Sequence, residues 1–343
     1  MSEGLNYNAN LGLPNFEDLI IAQNVKMYFP VTKGILKRTV GYVKAVDDVS
    51  FTIKRGKTLG LVGESGSGKS TIGRCILRKN KITDGTIWYE GKDMSEISRA
   101  AVRNLRKDLQ IVSQNPFASL DPRMNIFDVV AEGLRIHHME SEGMGLQNVV
   151  YRMLETVGLP TSAAERYPHE LSGGQRQRVA IARALALQPK FIVCDEIVSA
   201  LDVSVQAQIV QLLMRLQKEL NLTYLFIGHD LSVVRYLSDN VAVMYLGKIV
   251  EMTGSDDLYR EPLHPYTKAL ISAVPIPDPD IDSQVERIVL RGEIPSPIDP
   301  PKGCNFCTRC PFASELCREI EPVFREVRPG HYAACHLLDG TGR

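Results

Sequence analysis

No charge of one sign dominates this 343-residue sequence: Lys and Arg number 40, Asp and Glu also number 40, and the formal net charge is zero. It therefore lacks the long-range field that gathers nucleic acid, although local basic patches stay open. Long apolar runs are missing too. None approaches the roughly eighteen residues of a membrane-spanning helix, so any connection to a membrane is expected to pass through a partner. The start, "MSEGLNYNANLGLPNFEDLI", has no basic stretch leading into an apolar one, which argues against a signal peptide. Cysteine is sparse until the tail. Five of the seven lie beyond residue 300, and an odd count so placed argues against a secreted disulfide framework and for a reducing compartment.

What is present is an ordinary globular composition, 44% apolar and 23% charged, long enough for one large core with an appendage or for two modest domains. Residues 1–20 read as a loosely tied lead-in. "LIIAQNVKMYFP" predicts a strand over 19–30 that Pro30 ends, followed by a basic loop and the alternating strand "AVDDVSFTI". "KTLGLVG" is a short apolar run of the kind buried on both faces of a parallel sheet, and "KSTIGRCILR" follows it as a helix. From about 125 to 170 apolar residues recur at helical spacing, as at Val150, Met153, Leu154 and Val157, and this predicts an inserted helical lobe.

Strand–helix alternation then resumes in "KFIVCDE", "VQAQIVQLLMRLQKEL", "TYLFIGH" and "VAVMYLGKIVE", which predicts an open α/β sheet. The long helix carries a core stripe of Val205, Ile209, Leu212, Leu213, Leu216 and Leu220. Nine prolines between 261 and 301 predict an extended surface segment or semi-rigid linker. The expected organisation is a lead-in (1–20), a nucleotide-binding domain (21–260) with a helical subdomain at about 115–180, and a proline-rich, cysteine-bearing extension (261–343).

"GESGSGKS" fits G-x-x-x-x-G-K-[ST] in full, and it stands between a buried strand and a helix. In Gly63, Glu64, Ser65, Gly66, Ser67, Gly68, Lys69, Ser70 and the following Thr71, glycines let successive backbone N–H groups curl around phosphates, and the helix start adds unpaired donors. Lys69 is expected to reach the β and γ phosphates, and Ser70 to give an oxygen to Mg²⁺. "KFIVCDE" ends in Asp195, suited to the Mg²⁺ shell, and Glu196, suited to orienting or deprotonating the attacking water. In "LSGGQ", Ser172, Gly173, Gly174 and Gln175 open an amphipathic helix, a second anion site that invites the nucleotide of a second molecule. Gln114, His229 and Asp202 are each ordinary polar residues alone. Their order along the chain raises them to candidates for Mg²⁺ and lobe contact, γ-phosphate contact and cross-dimer contact.

With these motifs the sequence resembles the ATP-binding subunits of ABC transporters from about residue 20 onward. "QNPFASLDPRM", "SALDVSVQAQI", "HDLSVVRYLSD" and "PLHPYTKALISAVPIPDP" narrow the resemblance to the oligopeptide/dipeptide permease ATPases, the OppF/DppF branch. It implies a P-loop NTPase fold of the ABC type that hydrolyses ATP with Mg²⁺ to power peptide import. Implied partners are a related second ATPase in a heterodimer, two transmembrane permease subunits and an extracellular or periplasmic peptide-binding protein. Nucleic acid is not among them, and the chain is expected to lie peripherally on the cytoplasmic face of the cell membrane. Importers of nickel, glutathione or another small solute are the alternative within transport, and a soluble non-transport ABC ATPase is the alternative outside it.

By the resemblance Gln114 senses the nucleotide and touches Mg²⁺, Asp195 coordinates Mg²⁺ through water, Glu196 is the catalytic base and His229 the switch histidine. Ser172 to Gln175 would cap the partner's ATP, while Tyr28, or else Tyr42, would stack on adenine. Phe117 and Leu120 would meet a membrane subunit. One departure stands out: Ile197 follows the catalytic glutamate where the family usually has proline, and a less fixed turn there could loosen the aim of Glu196.

The tail reads Cys304-x2-Cys307-x2-Cys310-Pro, with Cys317 and Cys335 following. By spacing alone the thiols fit a 4Fe–4S cluster, a structural Zn²⁺ or free redox thiols, with Cys307 favoured as a ligand. The resemblance instead implies a 4Fe–4S cluster on Cys304, Cys310, Cys317 and Cys335 that leaves Cys307 over. In either case the tail is expected to draw much of its fold from metal. Cys75 and Cys194 read as buried apolar fillers.

Overall fold

A computed structural model describes residues 17–34, 38–115, 119–139, 145–275 and 287–340. Within them the strands are, in chain order, β1 (Asp18–Lys33), β2 (Arg38–Lys54), β3 (Thr58–Val62), β4 (Asp84–Tyr89), β5 (Lys92–Asp93), β6 (Leu109–Val112), β7 (Phe191–Asp195), β8 (Thr223–Ile227), β9 (Asn240–Tyr245), β10 (Lys248–Gly254), β11 (Arg325–Arg328) and β12 (His331–Ala333). The helices are α1 (Lys69–Ile76), α2 (Arg99–Asp108), α3 (Ile126–Ile136), α4 (Leu146–Thr156), α5 (Gly173–Leu185), α6 (Val203–Leu220), α7 (Leu231–Leu237), α8 (Ser255–Arg260), α9 (Pro265–Ser272) and α10 (Glu315–Glu319). Two compact units result. One is built from the described residues of Met1–Lys54, Thr58–Ser95 and His229–Arg343, the other from those of Arg55–Lys57 and Glu96–Gly228.

The first unit holds an antiparallel sheet of order β2-β1-β4-β5 and a mixed run of order β11-β12-β10-β9-β3. β3 is buried along its whole length and pairs in parallel with β9 from Leu59↔Asn240 to Val62↔Val243. A strand covered on both faces has no use for alternation, which is why "TLGLV" reads as one apolar run. "VAVMYLGKIVE" is the tight β9–β10 hairpin.

Pro30 does not end β1. The strand continues to Lys33, with Pro30 opposite Tyr42 on β2, while the β4 ladder stops at Lys26↔Asp84. Past that point one side of β1 is an edge, where a residue without an N–H costs no ladder bond. Much of the expected basic loop is therefore the far end of this hairpin.

The second unit stacks β6, β7 and β8 in parallel and carries α2 to α6. In α4, Val150 and Leu154 are fully buried, as their spacing requires. In α6, Ile209, Leu212, Leu213 and Leu216 are buried, but Leu220 is 51% exposed, because Asn221 turns left-handed (φ 50°) and ends the helix at the surface.

The proline-rich stretch is less extended than its composition implies. Pro265 occupies the first position of α9, where its missing N–H is harmless, and His264 caps the helix by accepting from Tyr266 N at 3.1 Å. His264 is 1% exposed. Burial lowers its pKa from 6.5 to about 4, with Glu251 opposing and Lys268 adding to the shift. The folded chain keeps this imidazole neutral, whereas the unfolded chain protonates it below about 6.5. Stability is thus lost as pH falls from about 6.5 to about 4, by up to about 3 kcal/mol. His264→Asn keeps a capping acceptor without a titrating group, so its melting temperature is expected to fall less steeply across that window. A variant that tracked the wild type would place the acid sensitivity elsewhere.

The C-terminal extension does not depend on metal alone for its place. Phe306 is 1% exposed and packs against Tyr245, Tyr266 and His264 at centroid distances of 5.2, 5.4 and 5.6 Å. Burying that ring contributes roughly 2–3 kcal/mol. Asn305 Nδ2 donates to Leu246 O at 3.0 Å, and β12 adds a strand to β10. Beneath this, Glu251 is fully buried and accepts from the backbone N–H groups of Leu263 (2.7 Å) and His264 (2.8 Å), with His331 Nε2 at 2.7 Å.

Candidate functional site

The phosphate loop lies in the first unit, between β3 and α1. Gly63 (φ 146°) and Gly68 (φ 107°) are the positions where only glycine serves: a Cβ at either would stand 2.1 Å from a backbone carbonyl oxygen, of Met244 and Ala45 respectively. The loop is thus pressed against the β9–β10 hairpin and β2, and Gly247 N donates to Ser67 O at 2.9 Å. Lys69 is 4% exposed, and its Nζ donates to Gly63 O (2.7 Å) and Glu64 O (2.9 Å). The ammonium is held inside the curl of the loop by these two carbonyl oxygens. Ser70 and Thr71 begin α1 and are partly exposed, while Ser65 and Gly66 are exposed.

Sequence reasoning missed what holds Glu64. Its N–H donates to Tyr266 Oη at 2.8 Å, and its carboxylate takes both arms of the Arg309 guanidinium, at 2.6 and 3.0 Å. Both partners come from beyond residue 260. The only signal in the sequence was an acidic residue inside an anion-binding loop.

The second unit carries the carboxylates. β7 delivers Asp195 at its end, 8% exposed, and the chain then turns at Glu196 with φ 51°, in the left-handed region. Glu196 N donates to Ile227 O (2.9 Å), Ser199 Oγ donates to Glu196 O (2.8 Å), and Ile197 is 1% exposed. The aim of Glu196 is therefore set by hydrogen bonds and a buried neighbour, which do what the absent proline would do by a fixed φ. Gln114 Nε2 donates to Glu196 Oε2 at 2.8 Å, so these two expected site residues do meet. Ser199 was not anticipated as a support, although it stands in plain sight in "DEIVSALD".

Ser172 is the N-cap of α5. Its Oγ accepts from Gln175 N (3.3 Å), while Gln175 Oε1 accepts from Ser172 N (3.0 Å), a reciprocal capping box on an exposed helix tip. Asp202 caps α6, accepting from Val205 N at 3.0 Å and from Ser204 Oγ at 2.7 Å, and these bonds hold its carboxyl below the usual range. His229 is exposed, two residues past β8. Leu120 is 1% exposed, so this side chain belongs to the core of its unit and offers no contact to a membrane subunit. Phe117 lies outside the described residues.

Tyr28 is half-buried on β1 opposite Lys44, with its hydroxyl bonded to Asp47 and Lys44 Nζ 5.9 Å from the ring centroid. Tyr42 is 52% exposed on β2. Cys75 and Cys194 are buried, and burial raises the Cys75 thiol to about 12.

The tail cysteines share one neighbourhood. Burial pushes the Cys304 thiol up to about 12 and the Cys335 thiol up to about 11, and Cys317 adds to the rise in both and in Cys310. Cys304 N donates to Cys317 O at 2.8 Å. Among the described residues, however, no group of three or more His, Cys, Asp or Glu converges to hold a metal ion. In kind the donors fit a soft metal, but as placed they stop short of a coordination shell.

Comparison with known proteins agrees with this geometry. The ABC transporter family model matches residues 46–199, and that of the oligopeptide/dipeptide transporter C-terminal region matches residues 250–317. The chain is 54% identical over 325 residues to the oligopeptide transport ATP-binding protein AppF of Bacillus subtilis, covering 94% of this chain and 98% of that one. It is 51% identical to the oligopeptide transport ATP-binding protein OppF of Salmonella typhimurium, over 94% and 96% of the two chains. Among solved structures it is similar to the dimeric post-hydrolysis state of the ATP-binding cassette MJ0796 bound to ADP and Pi. That match has TM-score 0.60 and 27% identity over 69% of this chain and 99% of that one. The phosphate loop, the paired carboxylates and near full-length identity to these relatives lead to one conclusion: the chain belongs to the ABC-transporter ATP-binding proteins, in the group of the oligopeptide transport ATPases.

Proposed function

We propose that the chain is the ATP-hydrolysing subunit of an importer of di- and oligopeptides. The observation that carries the substrate class is the match of the oligopeptide/dipeptide C-terminal region over residues 250–317, next to an ATP-binding cassette. In this reading the loop from Gly63 to Ser70 grips the phosphates, Asp195, Ser70 and Gln114 hold Mg²⁺, and Glu196 takes the proton of the attacking water. His229 contacts the γ-phosphate, and Tyr28 stacks on adenine. The exposed tip at Ser172–Gln175 caps the ATP of a related second ATPase, so that ATP closes the pair and hydrolysis reopens it.

Among the described residues no helix is long and apolar enough to cross a membrane. In this reading the chain attaches peripherally to two permease subunits on the cytoplasmic side. An extracellular binding protein would deliver the peptide to them. A strain lacking this chain should lose uptake of a labelled tripeptide and regain it on complementation. Unchanged uptake, with nickel or glutathione uptake lost instead, would reassign the cargo.

A 4Fe–4S cluster on Cys304, Cys310, Cys317 and Cys335 belongs to the same proposal; the family resemblance supports this ligand set, whereas spacing alone favours Cys307, and the thiols lie near enough to raise one another's pKa. Protein purified without oxygen should carry about four iron and four sulfide per chain, retained in Cys307→Ser and lost in Cys317→Ser. Zinc without sulfide would replace the cluster by a structural Zn²⁺.

A further inference from the structure

A phosphate loop exists to hold a polyanion, so a carboxylate within it is out of place unless something cancels its charge. Glu64 is the second residue of this loop, and its own carbonyl accepts from the Lys69 ammonium. Its carboxylate is gripped in fork geometry by Arg309, which stands between Cys307 and Cys310 of the tail. The arginine is the more buried partner, with a side-chain exposure of 7% against 28% for Glu64. Arg309 is also tightly seated. Its N–H donates to Phe306 O at 3.0 Å, and its guanidinium lies 5.8 Å from the Tyr245 ring centroid. Its Nε is buried with no acceptor among the described residues, a cost that the two-armed pairing with Glu64 has to offset. Tyr266 pins the Glu64 N–H from the same side.

We propose that Arg309 is a positioning residue of the nucleotide site: the cysteine-bearing tail neutralises Glu64 and fixes the phosphate loop for ATP. With Arg309 in place, the loop presents N–H groups and Lys69 to the phosphates without an opposing charge. Without it, Glu64 is an unpaired anion bonded to the same short loop, free to repel the phosphates or to turn onto Lys69. The tail is then part of the nucleotide site, and whatever disorders residues 304–310 weakens ATP binding. This rests on the phosphate-loop reading, and ATP binding by the wild-type chain tests that reading separately.

The test is a double-mutant cycle on the purified full-length chain and on its complex, reading ATP affinity, KM, kcat and melting temperature. Arg309→Met keeps the stem that packs at Tyr245 and removes the charge, so ATP affinity should fall about tenfold, with kcat at saturation within about twofold. Glu64→Gln alone is the remaining corner of the cycle and the reference against which the double variant is read. In the double variant Glu64→Gln should restore most of the loss, because the charge needing cancellation is gone. Arg309→Lys should keep most of the affinity. The proposal is overturned if Arg309→Met binds ATP normally, or if the double variant is as weak as Arg309→Met. Should Arg309→Met fail to fold, the double variant and Arg309→Lys decide. A folded pair binding ATP like wild type supports the proposal, and a pair that also fails to fold assigns Arg309 to the scaffold alone.

Discussion

Glu196→Gln is expected to lower ATP turnover by about a thousandfold while leaving ATP bound. The substitution removes the proposed proton acceptor and little else. Gln keeps the length of the side chain, and the backbone bonds to Ile227 and Ser199 that hold the φ of 51° do not involve the carboxylate. What changes is the partner of Gln114, whose amide donates to a carboxylate oxygen in the wild type and to an amide oxygen in the variant. ATP affinity should therefore stay within a few-fold, and ATP should accumulate on the protein without phosphate release. Turnover close to wild type would place the base elsewhere. Because buried Ile197 and the hydroxyl of half-buried Ser199 already set the turn, the missing proline is no reason to expect a dead site.

The second large effect is on binding. Lys69→Met should weaken ATP binding by about a hundredfold or more, since in the proposed site its buried ammonium would meet phosphate with less water around it than a surface charge would. The same change leaves the carbonyl oxygens of Gly63 and Glu64 without their donor, so the melting temperature should also fall by a few degrees. Saturating ATP should raise the melting temperature of the wild type and not that of the variant, which separates lost binding from lost folding. Wild-type affinity in Lys69→Met would remove the loop from the nucleotide site.

Much of the nucleotide site was legible because its chemistry is local. A loop of glycines with a lysine, a strand ending in two carboxylates and a serine opening a helix each declare themselves within a few residues. The structure puts each on the expected strand end or helix tip. Glu196 with Gln114 was readable as a pair of roles, but their contact spans residues far apart in sequence and needed the fold. Pro30, Leu220 and Leu120 were misjudged for a common reason. Local pattern cannot see which side of a strand is an edge, where a helix surfaces, or which loop side chain turns inward.

The tail shows the limit most plainly. Its cysteines could be counted and spaced from the sequence, and metal was expected to supply much of its fold. Phe306, Asn305 and β12 also seat it on the aromatic and strand surface of the first unit. The sequence by itself determined the fold family and the reaction, and marked the residues proposed to hold phosphate, because short motifs encode them. Only the tertiary structure decided that Glu64 is cancelled by Arg309 and that Glu196 is aimed without a proline. Both depend on contacts between side chains and backbone distant along the chain, which no local pattern records.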